Sequence, residues 1–270
     1  MAGSDSKFVG SIPEIYDRCL VPFIFEPFAA DFAKRLDVPG GGSVLELACG
    51  TGVLTRAILK SLPRDSRLVA TDLNPPMLEH ARRRLGADPR LEWQVADAMK
   101  LPFPDASFDR IVCQFGVMFF PDKPAALAEA RRVLKPGGML AFNVWDSVER
   151  NRYVEVSDAV VGSFFPSNPP PFFQVPFGYH DPAVLRSAME GARFAKVSVE
   201  QVVLEGTSPT ALDAARGLVE GCPLIVQIQE RGVSDPGPIV TAVAAKLAEE
   251  YGDAPLRCKL AAVWISGTRS

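Results

Sequence analysis

Between residues 43 and 145, short apolar segments alternate with segments whose apolar residues have the spacing of an amphipathic helix. This alternation is the sequence feature that most limits the possible folds. The apolar segments predict buried strands at 43–47, 67–71, 91–95, 108–115 and 139–145. Helical spacing predicts helices at 55–62, 74–86 and 123–134. Strands that are joined through helices pair in parallel by right-handed crossovers. We therefore predict an α/β fold with a doubly wound, mostly parallel sheet.

The second half of the chain has a different character, because prolines and phenylalanines crowd residues 163–178. This proline content disfavours regular structure. The later pattern predicts a helix near 182–190, strands near 194–204 and 256–265, and helical stretches at about 209–231 and 237–250. The two late strands bring the predicted sheet to seven, and the helical stretches between them are insertions.

We predict three parts along the chain. Residues 1–35 form a helical lid, because 11–32 are aromatic and amphipathic, and residues 36–146 form the ligand-binding core. Residues 147–270 complete the sheet and include a substrate lid at about 206–250. The aromatic residues of the outer parts have two interpretations, which are packing between lid and sheet or an apolar pocket for a small, flat or lipid-like molecule.

Net charge and cysteine spacing argue against several kinds of partner. The formal net charge of −3 gives no general attraction to nucleic acid or to an anionic membrane. We expect no secretion signal and no integral membrane contact, because no run reaches the roughly 18 apolar residues of a membrane span. The five cysteines form no CxxC pair. We therefore expect neither a zinc site nor a disulfide framework, and we expect a cytoplasmic protein.

The sequence VLELACGTG at 44–52 is typical of a strand that runs into a tight loop. Glu46 is its one acid, and the small residues that follow let the backbone approach a ligand closely. A dinucleotide-binding loop has the pattern G-x-G-x-x-G, but Thr55 stands at the third glycine position. A P-loop needs Gly-Lys-Ser/Thr, which is absent from this sequence. An acidic strand end favours a positively charged ligand without phosphate.

Four segments, in order along the chain, resemble the motifs of one family. They are VLELACGTG at 44–52, ATDLNPPML at 70–78, VADAMKLPFPDASFD at 95–109 and RVLKPGGMLAFNVW at 132–145. Together they resemble class I S-adenosylmethionine-dependent methyltransferases, of the group that includes the ubiquinone/menaquinone-biosynthesis type. The sequence departs from the family pattern at Ala48, where glycine is commoner, although alanine still lets the backbone approach a ligand.

The resemblance implies a Rossmann-like fold with helical lids, in which residues 36–146 bind S-adenosylmethionine (SAM). It also implies S-adenosylhomocysteine (SAH) as the product, and no metal. By resemblance, Asp72 accepts hydrogen bonds from the ribose hydroxyls. Asp97 meets the adenine amino group, Ala98 offers a backbone donor, and Leu73 and Met99 enclose the adenine ring.

The resemblance further implies contacts around the methionyl part of the cofactor and its loop. The residues concerned are Tyr16, Glu46, Ala48, Gly50, Gly52, Met77, Gln114 and Phe115. Among them, Glu46 would lie near the methionine ammonium, and the small residues would allow close approach. Gln114 and Phe115 would face the methionyl part and the transferable methyl group.

Each polar assignment has a structural alternative. Asp72 could be a helix-capping acid, Asp97 a turn former, and Glu46 a structural ion-pair partner. Met99 and Phe115 fit an ordinary hydrophobic core as well as they fit ligand contact.

Asn74-Pro75-Pro76 is similar to a motif of enzymes that methylate amino groups of DNA bases, but that motif follows the fourth strand. Here it follows the second strand, where we predict that Asn74 caps a helix and Pro75 occupies its first turn. Together with the acidic charge balance, this position argues against a nucleic-acid substrate.

We therefore predict methyl transfer from SAM to a small, apolar or aromatic organic molecule, by a monomer or homodimer. The acceptor atom, which could be oxygen, nitrogen or carbon, stays open. Two alternatives are a catalytically silent SAM-binding sensor or scaffold and, disfavoured by the missing third glycine, an NAD-dependent oxidoreductase. If a general base is used, His180 has the most suitable pKa, ahead of Tyr153, Asp158 and Tyr179.

Overall fold

The computed structural model describes residues 12–270 and contains a seven-stranded sheet. The strands are β1 Ser43–Glu46, β2 Arg67–Asp72, β3 Leu91–Val95, β4 Phe108–Gln114, β5 Leu134–Trp145, β6 Phe194–Ser208 and β7 Leu256–Arg269. Their order in the sheet is β3-β2-β1-β4-β5-β7-β6. The first five strands run parallel, whereas β7 pairs antiparallel with β5. The predicted fold class is confirmed.

Helices occupy most of the remaining described chain. They are α1 Ile12–Ile15, a π-helix Tyr16–Phe25, α2 Glu26–Arg35, α3 Val53–Ser61, α4 Pro75–Leu85, α5 Lys123–Val133, α6 Arg152–Ser163, α7 Pro182–Gly191, α8 Ala211–Glu220, α9 Leu224–Glu230 and α10 Gly237–Tyr251. Single 3₁₀ turns lie at Val117–Phe119, Val148–Arg150 and Phe172–Gln174. None of the helices in this part of the chain combines the length and the apolar content that a membrane crossing requires.

Strand β1 lies at the point where the sheet order reverses, and this position creates the site. All four of its residues are buried, and Leu45 pairs with Val69 of β2 on one side and Ile111 of β4 on the other. Since these strands are parallel, their carboxyl ends meet at one edge of the sheet. In sheets of this kind, ligands bind in the crevice outside that edge.

Some predicted boundaries were wrong, for local reasons. The stretch 209–231 is two helices, because Gly221 and Pro223 interrupt it. Helix α6 was not predicted at all. Strand β5 begins at Leu134 rather than at the predicted residue 139, and its register with β4 is irregular near this start.

The described chain forms two compact units. The sheet unit comprises Ala29–Trp145, Tyr179–Val202 and Ala262–Ser270. The helical unit comprises the described residues up to Phe28, together with Asp146–Gly178 and Val203–Ala261. Inside the helical unit, α8 packs on the π-helix and α10 packs on α6 and α8.

Candidate functional site

Glu46 is the last residue of β1, and its side chain is 1% exposed. The Thr55 hydroxyl donates to Glu46 Oε2 at 2.6 Å, and the Thr55 backbone N–H also donates to this carboxyl group. Burial raises the pKa of Glu46 to about 8, the charge of Asp72 also acts to raise it, and the Thr55 donors oppose the rise. The carboxyl group therefore keeps its proton at neutral pH until a cation lies beside it.

Thr55 was noted in the sequence only as the residue that replaces a third glycine. In the structure, the buried Thr55 hydroxyl donates a hydrogen bond to Glu46, the acid that ends β1, and this bond fixes the Glu46 side chain. The signal available in the sequence was the combination of a buried-strand acid and a hydroxyl residue in the helix that follows.

The loop after β1 is held open by backbone hydrogen bonds and left-handed glycines. Cys49 N donates to Thr71 O at 2.9 Å, and Gly52 N donates to Cys49 O at 2.9 Å. Gly50 has a φ of +56° and Gly52 a φ of +83°, a region that other residues rarely adopt.

The two glycines of this loop face different surroundings. A Cβ atom placed on Gly50 would meet, within 4 Å among the described residues, only the Met77 Cε atom at 3.6 Å. A Cβ atom on Gly52 would lie 3.3 Å from the side chains of Ala81 and Leu85 and 3.4 Å from Trp93. Gly50 therefore leaves room for a ligand, whereas Gly52 permits the packing of α4 and β3.

Asp72 ends β2 and is 6% exposed. Its Oδ2 atom accepts a hydrogen bond from Gly50 N at 2.9 Å, and its Oδ1 atom accepts from Asn74 N at 2.8 Å and Asn74 Nδ2 at 3.2 Å. Burial raises the pKa of Asp72, and these hydrogen bonds oppose the rise. Asn74 occupies the N-cap position of α4 and Pro75 its first turn, as predicted, but the Asn74 side chain makes no capping hydrogen bond, because its amide donates to Asp72.

Thr51 lies between the two glycines, and its side chain is 2% exposed. Its hydroxyl oxygen has no hydrogen-bond partner among residues 12–270. A buried hydroxyl without a partner is costly. Sequence reasoning did not select this residue, although a hydroxyl side chain inside a ligand-binding glycine loop is a usable signal.

Strand β4 ends in a strained turn. Phe115 has a φ of +53°, and its N–H donates to both Asn143 O and Asn143 Oδ1 at 3.1 Å. The Phe115 ring stacks on Trp145 with centroids 3.8 Å apart and planes 9° apart. Gln114, directly before it, is buried and pairs in register with Asn143.

Ala48, where the family pattern favours glycine, also has a left-handed backbone, with a φ of +51°. A Cβ atom on Gly116 would lie 2.6 Å from Ala48 Cβ and 2.7 Å from Cys113 Sγ. The loops after β1 and β4 thus touch at this point, and only glycine fits at position 116.

A tight turn follows β3 on the other side of β2. Asp97 Oδ1 accepts a hydrogen bond from Met99 N at 2.9 Å, and Lys100 N donates to Asp97 O at 2.9 Å. Asp97, Ala98 and Met99 are half-buried, while Leu73 is 46% exposed. The turn-forming role of Asp97 is thus present in the structure.

Comparison with known families shows which proteins the residues at this edge of the sheet resemble. Residues 44–138 match the family model described as a methyltransferase domain. The predicted resemblance to class I SAM-dependent methyltransferases of the ubiquinone/menaquinone type is confirmed.

Relatives with known names match this part of the chain. The ubiquinone/menaquinone biosynthesis C-methyltransferase of Bordetella avium is 47% identical over 107 residues, which are 39% of this chain and 42% of that protein. The 2-phytyl-1,4-naphtoquinone methyltransferase of Thermosynechococcus vestitus is 36% identical over 119 residues, 44% of this chain and 52% of that protein. The chain spans about half the length of these curated relatives.

The fold is also similar to that of a SAM-dependent methyltransferase from Aquifex aeolicus. The TM-score is 0.52 at 21% identity, over 73% of this chain and 91% of that one.

Two predicted site residues lie outside the matched segment 44–138. Tyr16 belongs to the helical unit, where its ring stacks on Phe25 with centroids 5.0 Å apart. His180 is half-buried in the sheet unit, directly before Asp181, the residue that caps α7. Its neighbour Tyr179 lies 4.9 Å, from ring centroid to nitrogen, beside Lys123 at the start of α5.

The two cysteines of the matched segment, Cys49 and Cys113, are buried free thiols. Burial raises the pKa of Cys113 to about 12 and raises that of Cys49 well above its ordinary value. Neither thiol is ionised at neutral pH, as expected for small buried side chains rather than nucleophiles.

Proposed function

We propose that this protein transfers the methyl group of SAM to a small aromatic molecule of the quinone or hydroquinone class. One observation carries the proposal. Two buried carboxyl groups, Glu46 and Asp72, flank a glycine loop that is open at Gly50 and holds a buried, unpartnered hydroxyl at Thr51.

These residues fit a cofactor that carries an amino-acid group and a ribose. The acidic end of β1 suits the ammonium and sulfonium charges, because a cation beside Glu46 favours the ionised carboxylate. The Thr51 hydroxyl can donate to the cofactor's own carboxylate. Asp72 can accept from a ribose hydroxyl in place of the Asn74 amide, whose 3.2 Å contact is the longest of its three.

On the adenine side, Leu73 offers an exposed apolar surface for a ring, and Asp97 and Ala98 offer polar groups at its edge. Met77 packs near the open side of Gly50, and Gln114 and Phe115 end the strand next to β1. Tyr16 keeps its proposed cofactor role, which rests on the resemblance alone.

SAM supplies, when bound, a methyl group on a positively charged sulfur that leaves readily. The residues of the protein then have to bind the cofactor and the acceptor, align them and exclude water. Correct alignment and a dry site account for much of the rate of such a displacement. A base is needed only if the acceptor must lose a proton. His180 is the proposed base, at the start of α7.

The acceptor class follows from the names of the relatives, which act in ubiquinone and menaquinone biosynthesis or on a naphthoquinone. Because they match over about half of their length, the acceptor of this chain is a proposal and its acceptor atom stays open.

We also propose a cytoplasmic location and catalysis without a metal. All five cysteines are free thiols, in keeping with a reducing cytoplasm. In the described part of the chain, His, Cys, Asp and Glu side chains form no group of three that could hold a metal ion. Metal-independent catalysis and a monomer or homodimer stay predictions, as does the absence of a nucleic-acid partner.

The test has two stages. Isothermal titration with SAH in the presence of EDTA should show binding at one site, and failure to bind would overturn the proposed function. Incubation with methyl-labelled SAM and a panel of reduced benzoquinones and naphthoquinones should then label a product. Tight SAH binding with no labelled product from this panel would overturn the proposed acceptor class, and the same result with a wider panel of phenols and amines would favour the silent sensor or scaffold.

A further inference from the structure

Glu46 is buried at the carboxyl edge of the sheet without a positively charged partner. Among residues 12–270, the groups that stabilise its negative charge are the hydroxyl and the backbone N–H of Thr55, and no lysine, arginine or histidine pairs with it. A charge that is buried in this way is costly unless an opposite charge lies beside it. The free site therefore lacks a cation.

The other titratable groups around Glu46 supply negative charge or none. Asp72, at the end of the neighbouring strand β2, acts to raise the pKa of Glu46. The thiols of Cys49, in the loop after β1, and Cys113, in β4, also interact with the Glu46 charge, and burial keeps both thiols neutral. Two carboxyl groups that share a buried site do not both ionise readily. Before a ligand binds, this pair therefore retains a proton.

The loop beside this pair has room for a ligand. Gly50 N donates to Asp72 Oδ2 at 2.9 Å, which places the loop next to the second acid. A Cβ atom on Gly50 would meet, within 4 Å among the described residues, only Met77 Cε at 3.6 Å. All these residues belong to the sheet unit, so this site lies within one compact unit.

SAM and SAH differ by one positive charge. Both carry an ammonium and a carboxylate group, but the methylated sulfur of SAM is a cation and the sulfur of SAH is a neutral thioether. A cation favours the ionised form of a nearby carboxyl group, and this effect is strong where water is excluded. SAM should therefore displace the proton of Glu46 more completely than SAH does.

We propose that Glu46 distinguishes SAM from SAH by charge, releasing its proton to solvent when SAM binds and taking a proton from solvent when SAH remains. Methyl transfer breaks the bond between sulfur and the methyl carbon and forms the bond to the acceptor, so it removes the sulfonium charge that kept Glu46 ionised. A protonated Glu46 attracts the SAH ammonium less, which favours product release. This inference rests on the proposed function and assigns the residue that selects the substrate form of the cofactor.

The test is isothermal titration of the full chain with SAM and with SAH, in buffers of different ionisation enthalpy, which counts the protons released. We expect close to one proton per SAM and clearly less per SAH at about pH 6.5. The Kd of SAM should then fall roughly three- to tenfold per pH unit between about pH 5.5 and 7, and the Kd of SAH should fall less.

Three variants assign this effect to Glu46. Glu46→Gln keeps the shape and an acceptor for Thr55 but cannot ionise, so its ratio of the SAH Kd to the SAM Kd should not change with pH. Thr55→Val removes the hydroxyl that stabilises the ionised carboxylate, so its SAM Kd at pH 7 should rise. Glu79→Gln removes an exposed acid of α4 and should behave as the wild type.

Equal proton release with SAM and SAH in the wild type would overturn the inference, and so would a folded Glu46→Gln variant with the wild-type pH dependence. If Glu46→Gln does not fold, Thr55→Val decides in its place, and an unchanged SAM Kd in that variant would overturn the inference. A wild-type protein that binds neither SAM nor SAH would count against the proposed function instead.

Discussion

The buried carboxyl group of Glu46 makes the free protein's stability depend on pH. Its pKa is about 8 in the folded state, above its ordinary value of 4.5, so the folded state binds the extra proton between these values. The free energy of unfolding should therefore fall as pH rises from about 5 to 8, by up to about 1.4 kcal/mol per pH unit, and level off above. Urea denaturation at a series of pH values measures this slope.

Glu46→Gln supplies the control for this prediction. The amide has nearly the same shape and can still accept from Thr55, but it cannot ionise. The slope between pH 5 and 8 should then be much shallower. A variant with the wild-type slope would show that another group is responsible for the dependence.

Asp72 is proposed to bind the cofactor ribose, and it also accepts hydrogen bonds that hold the loop. Two substitutions are needed to separate these roles. Asp72→Ala should weaken SAH binding by about 1.5–3 kcal/mol, because it removes a charge-assisted acceptor. It should also lower the melting temperature, because Gly50 N and Asn74 N lose their partner. Asp72→Asn keeps one acceptor oxygen and should lose less stability than affinity. Calorimetry that gives wild-type affinity in folded variants would remove Asp72 from the ribose site.

The two loop glycines should respond differently to the same change. Gly50→Ala and Gly52→Ala both place a side chain on a left-handed backbone, a strain of about 1 kcal/mol. Gly52→Ala also crowds Ala81, Leu85 and Trp93, so it should lose more stability. Gly50→Ala should lose more SAH affinity, since its new methyl group enters the open side of the loop. Melting curves and SAH titrations of the pair decide this, and equal affinity losses would contradict it.

Site residues whose residue type and position in a motif are distinctive could be predicted from the sequence. Residues whose role depends on a contact with a distant part of the chain could not. An acid before a glycine loop and an acid at the end of the next strand mark Glu46 and Asp72 at once. Asn143 looks like any strand residue until the register with β4 brings its carbonyl and amide oxygens to the N–H of Phe115. That contact depends on how two distant strands align.

Among the elements, strands of the sheet were predicted well and α6 was missed. Strands β1 to β4 are short and largely apolar, so their pattern is local. Helix α6 contains valines, which favour strands. The side chain of its N-cap residue, Asn151, does not cap the helix but forms hydrogen bonds with β7 and the preceding loop. Its helical conformation thus depends on tertiary packing that the local sequence does not reveal.

That dependence can be measured at Asn151. Asn151→Ala leaves the backbone N–H and carbonyl of Ala261 and two further carbonyls without this buried partner. We expect a loss of about 3 kcal/mol in the free energy of unfolding. The control is Asn168→Ala, which removes one exposed contact to Arg231 and should change stability by less than about 0.5 kcal/mol. Similar losses for the two variants in urea denaturation would contradict the proposed anchoring.

At the scale of the whole molecule, the effect of the cofactor should differ along the chain. We expect SAH to slow amide hydrogen exchange in the sheet unit, at 44–52 and 72–77, and to leave exchange in α6 of the helical unit unchanged. Hydrogen exchange with mass spectrometry measures both, and protection of α6 by SAH would contradict this expectation.

The contact between the loops after β1 and β4 also restricts how this corner can evolve. Any side chain at position 116 collides with Ala48 and with the thiol of Cys113, so replacing Ala48 by the family's commoner glycine relieves only one of the two collisions. We therefore expect epistasis among positions 48, 113 and 116. Glycine can replace Ala48 alone, whereas a side chain at position 116 fits only after both neighbours have become smaller.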